Sequence, residues 1–148
     1  MDKRSMLEKA ALFHGHICGG LLIGVSAVHY AMELMGTEIS SEDEEIVCVA
    51  ENDSCSVDAV QSILGCSIGK GNLIFRMRGK QAFSFFNRQT GKNFRLVLKE
   101  LIFSSPDEKR ELMLSAPGED IFDVKEVSFE LPARAKIYDK LYRRVYKK

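Results

Sequence analysis

Residues 17–35 are the stretch that most limits the folds available to this chain. Glu33 is their only formally charged side chain, and apolar side chains recur on every face of the helix that their spacing predicts. A helix that is apolar all round lies in a protein core or in a membrane. Its glycines and the polar His29 favour a helix buried in a soluble core over a bilayer span. The helix is predicted from about Gly20, with Gly36 as its stop.

The rest of the chain mixes helical and strand patterns. The single domain expected over residues 1–148 is therefore α+β, with an antiparallel or mixed sheet packed against a long central apolar helix and shorter helices. The predicted elements are a short amphipathic helix (3–12), a solvated acidic loop (40–45), a strand covered on both faces (46–50), a helix capped by Ser54 and stopped by Gly65, an antiparallel meander (73–76, 82–86 and 94–98) with hairpin turns at 78–80 and 89–92, helices from Pro106 to Leu114 and over 119–124, an edge strand (124–131) and a final helix (133–146).

Charge and cysteine content narrow the class of protein. Lys+Arg and Asp+Glu both number 21, so the overall charge gives no reason to expect nucleic acid or an anionic membrane as a partner. The four cysteines occur in a chain without a recognisable signal peptide, which favours reduced thiols and a cytoplasmic location.

Two histidines and a cysteine stand just before the apolar helix, at His14, His16 and Cys18. Neutral imidazole and thiolate are common ligands of zinc, copper, nickel and iron. The segment therefore predicts part of a metal or redox site. A polar turn whose histidines bind neighbouring backbone groups is the alternative reading.

Cys55 is the second candidate, because it is predicted in the first turn of a helix, where the helix dipole favours thiolate. Asp58, one turn further on, would orient a ligand, accept a proton or simply stabilise the helix start. If the two helix starts converge, one cleft contains His14, His16, Cys18 and Cys55. The cleft is then either a metal site or a cysteine pair for redox exchange, with His16 as its base. Cys48 lies in a predicted strand and is expected in the core.

A glycine-rich stretch, residues 65–72, invites comparison with phosphate-binding loops. It departs from the Walker pattern because Lys70 is followed by glycine and then by a predicted strand rather than by a helix. A contact between Lys70 and an anion or cofactor and a plain glycine-rich turn both remain open.

These motifs in this order resemble the FmdE family, which takes its name from formylmethanofuran dehydrogenase. The resemblance covers about residues 8–100 and rests on 13–20 (Phe-His-Gly-His-Ile-Cys-Gly-Gly), 55–61 (Cys-Ser-Val-Asp-Ala-Val-Gln) and 65–72 (Gly-Cys-Ser-Ile-Gly-Lys-Gly-Asn). It implies an α+β domain with a metal-binding cleft, commonly in a homodimer. By position, the resemblance implies four metal ligands, His14, His16, Cys18 and Cys55, of which His16 and Cys55 are ranked first. It places Asp58, Cys66, Lys70 and Asn72 around them. Lys70 and Asn72 are expected to bind a cofactor.

The chain departs from the family pattern in two places. Family members often read Cys-Pro-Gly where this chain has Cys18-Gly19-Gly20, so the proline that would stiffen the turn is missing. Many also carry a cysteine-rich zinc ribbon, whereas this sequence has no cysteine after Cys66.

Three functions follow as hypotheses. The first is a small cytoplasmic metal-binding protein, with zinc expected and nickel or iron as alternatives, accessory to a molybdenum or tungsten oxidoreductase. The second is an enzyme that uses Cys55 as nucleophile, or the metal as Lewis acid, with His16 or Asp58 as proton carrier. The third is an interaction domain whose metal only joins two helix starts.

Overall fold

The order of helices and strands gives an α+β fold, as predicted. The computed structural model describes residues 2–36 and 45–127. In chain order the elements are α1 (Lys3–His14), α2 (Gly19–Met35), β1 (Ile46–Ala50), α3 (Ser56–Ala59) with a π-helical continuation (Val60–Leu64), β2 (Leu73–Phe75), β3 (Ala82–Asn87), β4 (Asn93–Leu98), α4 (Pro106–Ser115), α5 (Gly118–Ile121) and β5 (Phe122–Glu126).

The sheet is mixed and has the strand order β2-β1-β3-β4-β5. β1 pairs with β2 in parallel and with β3 antiparallel, while β3, β4 and β5 pair antiparallel. The predicted hairpin at residues 89–92 is confirmed. The meander prediction is wrong for β2, and residues 78–80 are not a hairpin turn, because β1 lies between β2 and β3 and takes both as hydrogen-bonding partners.

The apolar helix α2 packs into the core. It runs over 17 residues and ends at Gly36, which adopts the left-handed conformation expected of a helix stop (φ 61°). Ser26, the polar residue at its middle, is buried and donates a hydrogen bond to the carbonyl of Met113 (2.8 Å). Within residues 2–36 and 45–127, none of the helices combines the length and apolarity that a membrane span needs.

The start of the α3 segment differs from the prediction. Cys55, rather than Ser54, is the N-cap residue, and its side chain makes no capping bond. The Ser54 hydroxyl instead donates to the Asn52 side chain (2.7 Å). Gly65 ends the segment in the left-handed conformation, as predicted (φ 71°).

Several other boundaries can be compared with the prediction. Ser105 caps α4 through the amide of Glu108, as the sequence indicates. α5 is shorter than predicted because Phe122 already enters the sheet, opposite Leu98. The remainder of the predicted edge strand, the final helix (133–146) and the acidic loop up to residue 44 lie outside the described residues.

Candidate metal centre

The His14–Cys18 segment forms the short connection between α1 and α2. α1 ends at His14, Gly15 turns the chain in the left-handed conformation (φ 97°), and Cys18 is the N-cap residue of α2. The connection places one ligand atom each of His14, His16 and Cys18 within 4.8 Å of one another. We refer to these three residues as the HHC cluster.

Asp58 fixes the orientation of His14. The Nδ1 atom of His14 lies 2.6 Å from Oδ2 of Asp58, and the His14 side chain is only 12% exposed. A hydrogen bond donated from Nδ1 leaves Nε2, 3.9 Å from the Cys18 sulfur, with its lone pair free. The hydrogen bond to Asp58 raises the pKa of His14 above its ordinary value, and Cys18 adds to this while desolvation opposes it.

Gln61 in turn holds Asp58, because its side-chain amide donates to Oδ1 of Asp58 (3.0 Å). Sequence reasoning missed this contact. The Asp-x-x-Gln spacing, one helical turn, is the local signal that could have revealed it.

His16 is exposed. Its ring lies beside that of His14, with 4.5 Å between centroids and a tilt of 42°. His16 therefore differs from His14 in lying at the solvent side of the cluster.

Cys55 is not among the three residues whose ligand atoms lie within 4.8 Å of one another, but it lies beside Cys18 because α2 and α3 approach very closely. A Cβ atom built on Gly24 would lie 2.2 Å from the carbonyl oxygen of Ser56, and one on Gly20 would lie 3.1 Å from the Cβ of Cys55. Only residues without side chains fit at such a contact. The two helix starts thus converge as predicted, and the side chains of Cys18 and Cys55 interact.

The two thiols differ in acidity, and the expectation for Cys55 is wrong. The interaction with Cys18, followed by desolvation, raises the pKa of Cys55. Desolvation also acts to raise the pKa of Cys18, but the Leu21 amide, the Cys55 thiol and His14 together outweigh it and lower that pKa. The Leu21 amide and His14 favour the negative charge on the Cys18 sulfur, and a charge held there makes ionisation of Cys55 harder.

The other cysteines lie in the core. Cys48 and Cys66 are both fully buried, which confirms the prediction for Cys48. Cys66 donates to the carbonyl of Ile46 (3.5 Å), and burial raises its pKa to about 12. A buried thiol of this kind stays protonated near neutral pH.

The two predicted cofactor residues contact the glycine-rich loop. The Lys70 ammonium group donates to the carbonyl of Gly65 (2.8 Å). The buried side chain of Asn72 accepts from the amide of Ser67 and donates to the carbonyl of Ile46. Asn72 therefore ties the loop to β1, and its role toward a cofactor stays a prediction.

The donor set of the cluster fits a borderline transition metal. Zinc accepts two imidazoles and one thiolate as ligands. A histidine that ligates zinc usually donates its other N–H group to a carboxylate, as His14 does to Asp58. The HHC cluster alone would leave a coordination position for water or substrate. Cys55 as a fourth ligand would close the site.

Comparisons with known proteins agree with the fold. The family model FmdE, described as molybdenum formylmethanofuran dehydrogenase operon, matches residues 13–138. The crystal structure of a tungsten formylmethanofuran dehydrogenase FmdE-like protein from Syntrophus aciditrophicus is similar with a TM-score of 0.66 and 26% identity, over 86% of this chain and 73% of that one.

A curated relative is longer. The chain is 36% identical over 96 residues to a probable S-adenosyl-L-methionine-binding protein from Archaeoglobus fulgidus, which is 63% of this chain and 26% of that relative. The chain therefore spans about a quarter of that relative's length.

Proposed function

Because the chain belongs to the FmdE family, we propose that it is a small cytoplasmic protein that binds one divalent transition metal at the HHC cluster. The metal proposed is Zn²⁺, with nickel and iron as alternatives. Family membership and the His/Cys cluster together support metal binding.

The contact between His14 and Asp58 is the observation that carries this proposal. A carboxylate that accepts the Nδ1 proton of a histidine fixes the tautomer in which Nε2 is a ligand and increases its basicity.

The proposed biological setting is assistance to a molybdenum or tungsten oxidoreductase. The family description refers to a molybdenum formylmethanofuran dehydrogenase operon, and the similar crystal structure is named for a tungsten enzyme. Both names belong to those proteins, and they support, for this chain, an accessory role in handling or delivering metal. Following the family resemblance, we propose a homodimer as its working form.

A second candidate function is a thiol- or metal-dependent enzyme. The acidity of Cys18 favours it, because a thiolate with a hydrogen-bonded histidine beside it is the usual form of a nucleophilic cysteine. For this candidate we propose Cys18 as the nucleophile in place of Cys55, because the pKa of Cys18 is lowered and that of Cys55 is raised. His16 and Asp58 remain its candidate proton carriers.

Metal analysis of the purified full-length protein tests the leading proposal. The expected result is one Zn²⁺ per chain, lost in His14→Ala and Cys18→Ser and retained in His29→Ala, a histidine of α2 outside the cluster. Metal content unaffected by His14→Ala and Cys18→Ser would rule out this site.

The variants Cys55→Ser and His16→Ala then distinguish the kinds of site. Loss of metal in Cys55→Ser identifies a closed four-ligand site, as in a carrier or structural centre. If Cys55→Ser retains the metal and His16→Ala loses it, the site has three protein ligands and an open coordination position. That result supports the enzyme hypothesis. Alkylation of Cys18 by iodoacetamide no faster than that of a free thiol would exclude the nucleophilic form of the enzyme.

A further inference from the structure

The chain contains two pairs of neighbouring cysteines in very different surroundings. Cys18 and Cys55 are half-buried at the start of their helices, whereas Cys48 and Cys66 are fully buried. An oxidant in solution therefore reaches the first pair and is excluded from the second. The second pair serves as an internal control in the same molecule.

The backbone holds Cys18 and Cys55 side by side. The approach of α2 to α3 at Gly24 and Ser56 leaves no room for a side chain on Gly24, so the two helices are held at a fixed, short separation. One turn earlier, Gly20 brings α2 against the Cβ of Cys55, and Cys18 stands at the start of that turn as the N-cap of α2. The side chains of the two cysteines interact directly.

The placement of Cys18 and Cys55 at the starts of two adjoining helices favours a disulfide between them. Both cysteines are N-cap residues, so each side chain leaves its helix at the end rather than from within a packed face. The two side chains are hydrogen-bond partners, and a disulfide would bring their sulfur atoms to the bond length of about 2 Å.

We propose that Cys18 and Cys55 form a reversible disulfide, and that this bond releases the metal by consuming thiolates of the site. The release of metal rests on the proposed function. The disulfide itself does not, because it follows from the placement of the two cysteines alone.

A peroxide is the class of oxidant that the proposal requires. The Cys18 thiolate attacks one peroxide oxygen, the O–O bond breaks, and the departing hydroxide takes a proton to become water, which leaves a sulfenic acid on Cys18. The Cys55 sulfur, on losing its proton, attacks the Cys18 sulfur, and the S–O bond breaks to release a second water. Two thiols lose two electrons in total, and the peroxide gains them. A dithiol reverses the reaction by thiol–disulfide exchange.

The first experiment treats the reduced, metal-free, full-length protein with hydrogen peroxide. Intact mass should fall by about 2 Da, the loss of two hydrogen atoms, and peptide mapping should find Cys18 linked to Cys55. Cys55→Ser should lose this change, and the matched variant Cys48→Ser should keep it. A mass gain of oxygen atoms alone, a link between Cys48 and Cys66, or links only between chains would overturn the proposal.

The second experiment uses the protein loaded with Zn²⁺ alone. Peroxide should release the metal to a chromogenic chelator in step with the formation of the Cys18–Cys55 link, and dithiothreitol should restore binding. Zinc that stays bound after the disulfide has formed would refute the switch. Failure of the reduced protein to take up Zn²⁺ would instead contradict the proposed function, while the mass and mapping result would still decide the disulfide.

Discussion

At the scale of single residues, Asp58 decides how well His14 serves as a ligand. Asp58→Asn keeps the shape of the side chain but removes its charge and replaces one acceptor oxygen by an amide, so the Nε2 lone pair of His14 becomes less basic. We expect zinc affinity to fall by about 10–100-fold, the usual effect of losing such a partner, as measured by competition with a chelator of known affinity.

The neighbouring Asp53→Asn supplies the control, because Asp53 is exposed. Its affinity for zinc should match that of the unmodified protein. Equal affinities for Asp58→Asn and Asp53→Asn would mean that Asp58 does not support a metal ligand.

The ionised side chain of Glu51 is expected to make the stability of the fold depend on pH. Its buried carboxylate accepts two hydrogen bonds from Arg95 (2.8 and 3.0 Å) and lies 3.6 Å from Arg78. The hydrogen bonds from Arg95, against desolvation, hold the pKa of Glu51 below its ordinary 4.5. A lowered folded-state pKa gives stability that is complete above the unfolded pKa and is lost as pH falls through the folded one.

We therefore expect Glu51→Gln to lower the free energy of unfolding at pH 7 by about 1.5–3 kcal/mol, the range for hydrogen bonds to charged groups. The difference from the unmodified protein should shrink as pH falls below 4.5. Urea unfolding across pH 3–7 measures both effects, with exposed Glu119→Gln as control. A difference that is constant with pH would contradict this role of the charge.

The candidate site residues that could be grouped from the sequence alone are those close together in the chain. His14, His16 and Cys18 are separated by single residues, so any turn between two helices brings them together. The acidity of Cys55 could not be read locally, because it depends on a thiol 37 positions away in the sequence. The pairing of Glu51 with Arg95 is of the same kind, since the two lie 44 residues apart.

At the scale of elements, the contact of α2 with α3 at Gly24 determines whether the two helix starts can meet. A methyl group there would overlap the Ser56 carbonyl, so Gly24→Ala forces the helices apart. Overpacking of this kind costs about 1–3 kcal/mol. We expect that loss in urea unfolding, together with weaker zinc binding and slower formation of the Cys18–Cys55 disulfide.

Gly69→Ala is the matched control, because a Cβ atom at Gly69 meets nothing within 4 Å. It should leave all three measurements close to those of the unmodified protein. Gly24→Ala as stable as Gly69→Ala would show that α2 and α3 tolerate a wider separation.

Local sequence patterns predicted most helices and strands, but they did not predict every pairing between strands. The periodicity of α2, the apolar run of β1 and the turn at 89–92 each express short-range constraints, and the structure confirms them. The parallel pairing of β1 with β2 places Cys48 opposite Leu73, and its signal is the helix predicted between the two strands, since parallel strands need such a crossover.

At the scale of the whole molecule, metal binding should stabilise the fold. A ligand that binds the folded state alone adds about 2.7 kcal/mol at a free concentration 100 times its Kd. A change of 1 kcal/mol moves the melting temperature of a chain of this size by about 2–4 °C. We expect a corresponding rise in melting temperature when Zn²⁺ is added to the metal-free protein, as followed by circular dichroism.

His14→Ala in the same zinc concentration should show little of this rise, which separates the site from zinc bound elsewhere on the surface. An equal rise in both proteins would place the stabilising ion outside the HHC cluster.

The interior position of β1 has a consequence for the order in which the molecule assembles. β3 and β4 are joined by a short turn, so their pairing closes a small loop, whereas β1 pairs with β2 and β3, which begin 23 and 32 residues after it ends. His14, His16 and Cys18 are synthesised together and need no long loop to meet. On the proposed function, a nascent chain therefore presents three metal donors before Cys55 is synthesised, and Cys55 joins them only when α3 packs against α2.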